Sequence, residues 1–447
     1  MVDVIKNLGL ASIYLLLGYA LRSKVKALQK LFIPAAVLGG IIGLLLGPQV
    51  LGRFSPICLH FSGDGVGSYA MPLLAIVFTS MFLGSKIDRS TLKHSGATFF
   101  LNCSTITLQI TLGLLLTQLF LPSNSNLYSG FGMFPYLGFY GGHGVPANTA
   151  NVFEQAGVFD ANLGTSAGNT FATIGLLYGI IGGIVIINIC AKKGIISKNA
   201  GMQSLSREEL SGYLPPEKRV PAVMALTKND VINPVALHAA IIGVVMCLGY
   251  ALLPYIQKIP YCKSLNITIP VLLVSIAVNM ICNRTGLNKY LDHKSLSNVT
   301  GVALEFLIVT SVANTNLSLF SAFGREIVVM SVVILAATTA FVLLIGKIWH
   351  KDHWAENCLG TFGLATGVLA TGFLLIRVAD PDNETGAATN LSCGNGVSTS
   401  TVQLFFNYIF PALFTALPLS FGLGLPPIAF VVFTVIGFIL FGRKKAN

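Results

Sequence analysis

The sequence predicts an all-α polytopic membrane protein, and two observations lead to that prediction. The 447 residues are 53% hydrophobic and 10% charged, with a mean hydropathy of +0.75, which leaves too little charge to cover a water-soluble globule. Apolar windows of bilayer-spanning length, about 17 to 25 residues, recur along the chain. The net charge of +11 is spread over short loops, so membrane topology explains it better than a nucleic-acid partner does.

The apolar windows give the candidate crossings in order. They lie at roughly 3–21, 33–52, 67–85, 97–121, 163–191, 233–256, 268–283, 298–322, 327–348, 397–420 and 427–442. Two further segments, about 133–160 and 357–380, are hydrophobic but interrupted by Gly, Pro, Asn and Thr. Non-helical backbone at membrane depth survives only where it is buried in protein or lines a water-filled cavity. We therefore interpret both segments as re-entrant hairpins.

The distribution of basic residues predicts the orientation of the crossings. With the N-terminus outside and the C-terminus in the cytoplasm, all but five of the 28 Lys and Arg residues lie on the cytoplasmic side. The five external ones are Lys6, Arg53, Lys258, Lys263 and Arg325. This asymmetry is what the positive-inside rule requires of a multi-pass protein in the plasma membrane.

Three pairs of short matches, in the same order, indicate an internal repeat. Ile33-Pro34 matches Ile269-Pro270, Thr79-Ser80 matches Thr310-Ser311, and Gly144-Val145 matches Gly367-Val368. Each repeat holds five crossings and one hairpin, and five is odd, so the second repeat is predicted to be inverted in the membrane. The predicted segments are a first repeat over 1–191, a cytoplasmic linker over 192–232, a second repeat over 233–421, and an extra C-terminal transmembrane helix with a basic tail over 422–447.

This plan is typical of secondary transporters, in which interrupted segments from the two repeats meet near the bilayer midplane and form the substrate and ion sites. The sequence has no phosphate loop or nucleophile elbow, so we predict no enzyme activity and no ATP-driven pump. No cofactor or structural metal is expected. The spacing of His350 and His353 around Asp352 would suit a metal loosely, but we interpret it as a solvated face at the membrane interface.

The first hairpin supplies the candidate substrate site. Gly141, Gly142 and Gly144 would allow close backbone approach and positive φ, and a helix starting after them would point free amides at an anion. The alternative is that these glycines only allow tight packing. His143 could donate to a carboxylate or carry a coupling proton, or it could be a satisfied structural donor.

Two asparagines follow on the same predicted helix. Asn148 and Asn151 would share one face and offer amide donors or carbonyl ligands, although helix capping or hydrogen bonding at the hairpin tip would explain them equally well.

The window at 298–322 supplies the candidate sodium site. Its neutral oxygen-bearing residues are Thr310, Ser311, Asn314, Thr315 and Asn316. Sodium in such folds takes hydroxyl and carbonyl oxygens. The alternative is interhelical hydrogen bonding.

Two charged residues leave several roles open. Glu305 could complete a cation site, pair with a basic group or lie near a helix end. Arg377 could hold a carboxylate, but a positive-inside anchor paired with the acids that follow it is the favoured interpretation.

Several motifs together resemble the bacterial sodium/glutamate symporter family. They are GFYGGHG at 138–144, ATIGLLYGIIGG at 172–183, the spans opened by Ile-Pro, and CLGTFGLATGVLAT at 358–371. The resemblance covers about residues 30 to 415, and the chain departs from the family pattern after Gly144, where Val145 begins a different run.

The resemblance implies inverted five-span repeats, a homodimer and an elevator-like step in a bacterial inner membrane. It also implies that the second hairpin contacts substrate through Gly363, Thr366, Gly367 and Thr371. The expected function is sodium-coupled symport of glutamate or a related small carboxylate by alternating access, with the lipid bilayer as surroundings and sodium as coupling ion. Alternatives are a cation/proton antiporter or another organic-anion carrier, and, from a different class, a channel or receptor.

Overall fold

The computed structural model describes residues 2–30, 33–61, 89–196, 230–259, 267–380 and 384–442, together with 72–73, 75–77, 79–80, 83, 213 and 215–218. In this part of the chain every regular element is a helix, and nine helices are long and apolar enough to cross a membrane. This confirms an all-α, multi-pass membrane protein. Most of the window at 67–85 and of the linker at 192–232 lies outside the described residues.

The helices are numbered here in chain order. They are α1 (Val2–Lys24), α2 (Lys26–Lys30), α3 (Ala35–Leu46), α4 (Arg89–Phe120), α5 (Phe134–Phe139), α6 (Val145–Gln155), α7 (Ala161–Lys192), α8 (Pro234–Ile256), α9 (Thr268–Thr285), α10 (His293–Ala313), α11 (Ser318–Trp349), α12 (Trp354–Ala379), α13 (Ala387–Ser398), α14 (Phe410–Ala416) and α15 (Leu419–Phe441).

Side-chain caps set where three of the long helices begin. The carboxylate of Asp160 accepts from the amide of Leu163 at 2.7 Å and starts α7. Asn233 and Asp292 accept from the first-turn amides of α8 and α10 in the same way. Caps of this kind satisfy backbone donors that a helix leaves open at its first turn.

The predicted boundaries at 298–322 and 327–348 are wrong, because the chain breaks at residues 314–317 between α10 and α11. The side-chain amide of Asn314 donates to the carbonyl of Thr310 at 2.9 Å and closes the end of α10. The backbone amide of Leu317 leaves the helical pattern and donates to Oε1 of Gln49 at 2.7 Å. The polar residues therefore end one helix rather than interrupting it, and α11 continues for 32 residues.

The window at 397–420 also begins too late. Its helix starts at Ala387 and passes through two π-helical turns, Thr399–Gln403 and Phe405–Ile409, before ending at Ala416. The following helix, α15, starts at Leu419, slightly before the boundary drawn at 422. Segments of π-helix are rare in proteins, and those that are present often lie at functional sites.

The described helices pack as two groups. In the first group α1, α3 and α10 approach closely through glycines: a Cβ on Gly18 would overlap the backbone of Gly39, and one on Gly43 would lie 2.7 Å from the Cβ of Ala313. Helices α8 and α9 extend this group, since Gly249 meets Val271. Small residues at such contacts let membrane helices approach without side chains between them.

The second group contains α4 to α7 and α11 to α15. Its core is aromatic, with the rings of Phe131 and Phe323 5.1 Å apart and those of Phe134 and Phe153 6.0 Å apart. The candidate site lies in this group, along its boundary with α10 of the first.

Candidate functional site

The first interrupted segment is a hairpin. Its arms are α5 and α6, joined by the turn at 140–144, and we call this unit hairpin 1. The rings of Phe134 and Phe153 lie 6.0 Å apart although they are far apart in sequence, which requires the arms to run antiparallel. The two arms therefore fold back on each other within the segment 133–160.

The glycines of this turn have different roles. Gly142 has φ +74°, so it uses the left-handed conformation that favours glycine. The same expectation is wrong for Gly141 and Gly144: Gly144 has φ −102°, and Gly141 does not have a positive φ. These two positions are limited by space instead, since a Cβ on Gly144 would lie 2.7 Å from Cδ2 of Leu307 and one on Gly141 would lie 2.6 Å from the carbonyl oxygen of Leu137.

The second interrupted segment, α12, also folds back on itself. Its helical geometry fails at Gly367 and Val368, where Val368 has φ 68°. A Cβ on Gly363 would lie 2.7 Å from Cα of Gly372, a contact that a straight helix would not allow. The arms 354–366 and 369–379 therefore form a hairpin, called hairpin 2, with its tip at the break.

The tips of the two hairpins meet. A Cβ on Gly142 would lie 2.7 Å from Cγ1 of Val368, so the positive-φ residue of one tip faces the positive-φ residue of the other. Tip-to-tip contact between two interrupted segments is the arrangement that forms substrate sites in secondary transporters.

Helix α7 packs against both hairpins through one face of glycines. Gly168 contacts Pro146 of hairpin 1, whereas Gly175 and Gly179 contact Thr366 of hairpin 2. Gly179 also approaches the side chain of Thr371. The predicted residues Thr366 and Thr371 thus lie on the α7 side of hairpin 2, and their hydroxyls donate within the hairpin to the carbonyls of Phe362 and Gly367.

His143 is buried at the first tip. Its Nε2 lies 3.0 Å from Oγ1 of Thr173 on α7, and the Thr173 hydroxyl donates to the carbonyl of Asn169 at 3.0 Å. Because that hydroxyl has a single hydrogen, Nε2 of His143 must be the donor to it. One ring nitrogen is thus satisfied structurally, and Nδ1 is left for other partners.

Asn148 and Asn151 each use an amide donor within the protein. Asn148 donates to the carbonyl of Asn407, in the π-helical turn, at 3.0 Å, and Asn151 donates to the carbonyl of Ala147 at 2.8 Å. Hairpin 1 is therefore attached to the segment between α13 and α14, a connection that nothing in the sequence indicates.

The predicted sodium ligands surround the break after α10. The hydroxyl of Thr310 donates to the carbonyl of Phe306 at 2.7 Å, and Oδ1 of Asn316 accepts from the amide of Ser318, the first residue of α11, at 3.0 Å. The carbonyl of Thr315 accepts from Nε2 of Gln49 at 3.0 Å. Most of the polar groups here thus have structural partners.

Two buried side chains near this break have none. Within the described part of the chain, Oγ of Ser311 and both amide atoms of Asn169 have no hydrogen-bond partner, at 4% and 1% exposure. Buried polar atoms in native proteins are almost always paired, so such exceptions indicate water or an ion.

Contacts on either side bring these two residues into one layer. At one end the amide of Asn316 donates to Oγ of Ser166 at 2.8 Å, and at the other end hairpin 1 joins α10 to α7 through Gly144 and His143. Ser311 lies between these contacts on α10, and Asn169 lies between them on α7. Their oxygens are the neutral, hard ligands that sodium requires, so the residues present fit a sodium ion.

Glu305 and Arg377 lie away from this layer. The carboxylate of Glu305 is on an exposed face of α10, and Arg377 is in the last turn of α12. The acid that follows, Asp380, accepts from Thr385 and from the amide of Glu384.

The prediction of a solvated face at 350–353 is wrong for His350. This residue is 7% exposed, and burial lowers its pKa to about 4. The chain turns sharply here, with His353 at φ 49° and exposed, so only the second histidine faces outward. Among the described residues no group of His, Cys, Asp or Glu has the geometry to hold a metal.

Comparison with known proteins identifies the family. Residues 1–372 match the family model described as sodium/glutamate symporter, and no curated protein matches the chain. Because the match covers most of the 447 residues, the chain belongs to the sodium/glutamate symporter family. Members of that family are membrane transporters rather than enzymes, and they use sodium as the coupling ion.

Proposed function

From membership of the sodium/glutamate symporter family we propose that this protein couples the uptake of glutamate, or of a closely related small carboxylate, to the entry of sodium. The contact between the two hairpin tips, Gly142 against Val368, is the observation that carries the proposal. It unites two interrupted helices at one point, and the first-turn amides of α6 are donors suited to a carboxylate.

The substrate site in this proposal lies around both tips. It contains Gly141, Gly142, His143 and Gly144 of hairpin 1, with Asn148 and Asn151 behind them, and Gly363, Thr366, Gly367 and Thr371 of hairpin 2. The closeness of α7 to both tips supports this assignment, since a glycine face leaves backbone rather than side chains around the ligand.

The coupling sodium in this proposal lies beside α10. Ser311 and Asn169 supply oxygens that have no other partner in the described residues, and Thr310, Asn314, Thr315 and Asn316 complete the polar layer. The short distance along α10 from this layer to Leu307, which contacts Gly144, supports coupling between the two sites.

We further propose an elevator-like alternating-access cycle. The second group of helices would carry the hairpins past the first group, which would form the scaffold of a homodimer in a bacterial inner membrane. The order of elements supports inverted repeats over 1–191 and 233–421: α4, hairpin 1 and α7 correspond to α11, hairpin 2 and the α13–α14 segment. The linker at 192–232, the final helix and the tail at 422–447 lie outside the repeats.

Uptake of radiolabelled glutamate into proteoliposomes tests this function. We expect saturable uptake that concentrates glutamate when an inward sodium gradient is present and that stops when choline replaces sodium. A channel would not concentrate glutamate, and a proton antiporter would respond to a pH gradient without sodium. Competition by aspartate, citrate and glutamine would define the substrate class.

A further inference from the structure

Gln109 connects α4 to the tip of hairpin 2. Its side chain is fully buried at 0% exposure, and its Nε2 donates to the carbonyl of Ala365 at 2.8 Å and to Oγ1 of Thr338 at 3.0 Å. Ala365 lies in the last turn before the break at Gly367. A polar side chain at mid-helix therefore reaches the backbone of a predicted substrate-site element.

The hydrogen bonds fix the orientation of the Gln109 amide. The carbonyl of Ala365 can only accept, so the nitrogen must face it. The other polar side-chain atom, Oε1, is then left in the interior, with no hydrogen-bond partner among the residues that the structure describes. A buried amide oxygen without a partner is costly, and the cost is removed when a ligand binds there.

The place where this oxygen lies favours a cation. The arm 354–366 ends at the hairpin tip, and the last carbonyls of a helix carry partial negative charge. Oε1 belongs to the same amide group that bonds to the carbonyl of Ala365, so it is held beside this helix end. Broken-helix C-termini with neutral oxygens are where transporters of this architecture coordinate sodium.

We propose that Oε1 of Gln109 is a ligand of a sodium ion bound at the C-terminal end of the first arm of hairpin 2. In this proposal the site is built on α4 and hairpin 2, whereas the layer around Ser311 is built on α10 and α7. The proposal rests on the sodium-coupled function above, and it implies that more than one sodium binds per transport cycle. Asn102, on the same face of α4, is fully buried, and both of its amide atoms lack a partner among the described residues, so the polar face of α4 extends beyond Gln109.

Sodium-dependent thermal stabilisation of the purified full-length protein, measured in detergent without glutamate, tests the site. A ligand that binds only the folded state raises its stability by mass action, so a titration of NaCl against choline chloride gives a half-saturation concentration. Gln109→Met keeps the length of the side chain and removes both polar atoms. Gln118→Met, on the same helix, is the matched control.

For Gln109→Met we expect the half-saturation concentration of sodium to rise on the order of tenfold or more, as when a group supporting a bound metal is lost. Gln118→Met should remain within about twofold, a difference of under half a kcal/mol. A folded Gln109→Met protein with wild-type sodium dependence would overturn the proposal.

A second variant covers the case in which Gln109→Met does not fold. Gln109→Glu keeps the shape and adds negative charge, so it should bind sodium more tightly with rising pH, and unchanged sodium dependence at every pH would refute the assignment.

Thr338→Val separates positioning from ligation: it removes one partner of the amide but no sodium ligand, so it should lower maximal uptake more than it shifts sodium dependence. If the wild type shows no sodium-dependent stabilisation, sodium-coupled symport itself fails, whereas wild-type stabilisation retained in both Gln109 variants refutes only this site.

Discussion

Replacing Gly142 by alanine tests the contact between the hairpin tips most directly. Gly142 has φ +74°, a conformation that costs an L-residue with a Cβ roughly 1–2 kcal/mol. The new Cβ would also lie 2.7 Å from Cγ1 of Val368, well inside the contact distance of about 3.5–4.0 Å between carbon atoms. The tips would have to separate by about 1 Å, and overpacking of this kind costs about 1–3 kcal/mol more.

Gly157→Ala provides the reference for this experiment. Gly157 ends the same hairpin at φ +71°, but a Cβ there would meet nothing within 4 Å. It therefore reports the conformational cost alone, and the difference between the two variants isolates the tip contact.

The assay is initial-rate sodium-driven glutamate uptake with a thermal melt of the same samples. We expect Gly142→Ala to lose most uptake while Gly157→Ala keeps it, with both proteins folded. In the double variant with Val368→Ala the crowding carbon is gone, so uptake should recover partly, with a coupling energy of about 0.5–3 kcal/mol. Equal uptake for Gly142→Ala and Gly157→Ala would refute the reasoning that the tips meet in the working site.

Three further outcomes are expected. Ser311→Ala should raise the sodium concentration for half-maximal uptake without lowering the melting temperature in choline, because the lost hydroxyl has no partner among the described residues. A lower melting temperature with unchanged sodium dependence would make Ser311 a packing residue. Asp380→Asn should destabilise the protein by about 1.5–3 kcal/mol at pH 7, because the charged acceptor of Thr385 is lost. Burial raises the pKa of Asp380, but hydrogen bonds from Thr385 and from the backbone outweigh this effect and lower that pKa. The stabilisation by the ionised carboxylate is therefore present above about pH 4 and is lost as pH falls through the lowered pKa. Melting curves with equal acid sensitivity in the wild type and in Asp380→Asn would contradict this. In a cysteine-free background, an impermeant maleimide should label a cysteine at Lys258 from outside intact cells and leave one at Lys193 unlabelled, and the reverse pattern would invert the topology.

The sequence predicted the hairpins because their signal is local. Clusters of glycine with proline, asparagine and threonine in an apolar run favour a break in the helix, and both interrupted segments turn within such clusters, at Gly142 and at Gly367. The end of α10 was harder to predict because Thr310 and Asn314 are compatible with a continuous helix. Gln49 and Ser166, both far away in sequence, bond the backbone where the chain breaks and show why it breaks there.

The remaining site residues depend on contacts between distant elements. Gln109 is one polar residue within an apolar window, and nothing near it in sequence distinguishes a residue that reaches a hairpin tip from one that pairs with its own helix. Asn169 likewise gains significance only from lacking a partner once α7 packs beside α10. The spacing of His350 and His353 alone would place both side chains on one solvated face, but the turn at His353 separates them and leaves His350 buried.

The glycine face of α7 has a consequence for motion. Each ordered flexible side chain costs up to about 2 kcal/mol of entropy on burial, whereas glycine contributes no side-chain entropy at all. Contacts that Gly175 and Gly179 make with Thr366 can therefore form and break with almost no change in rotamer freedom. A hairpin that shifts along this glycine face would therefore pay little side-chain entropy at its contact with α7. Larger side chains at these positions would lose rotamer freedom again in every cycle.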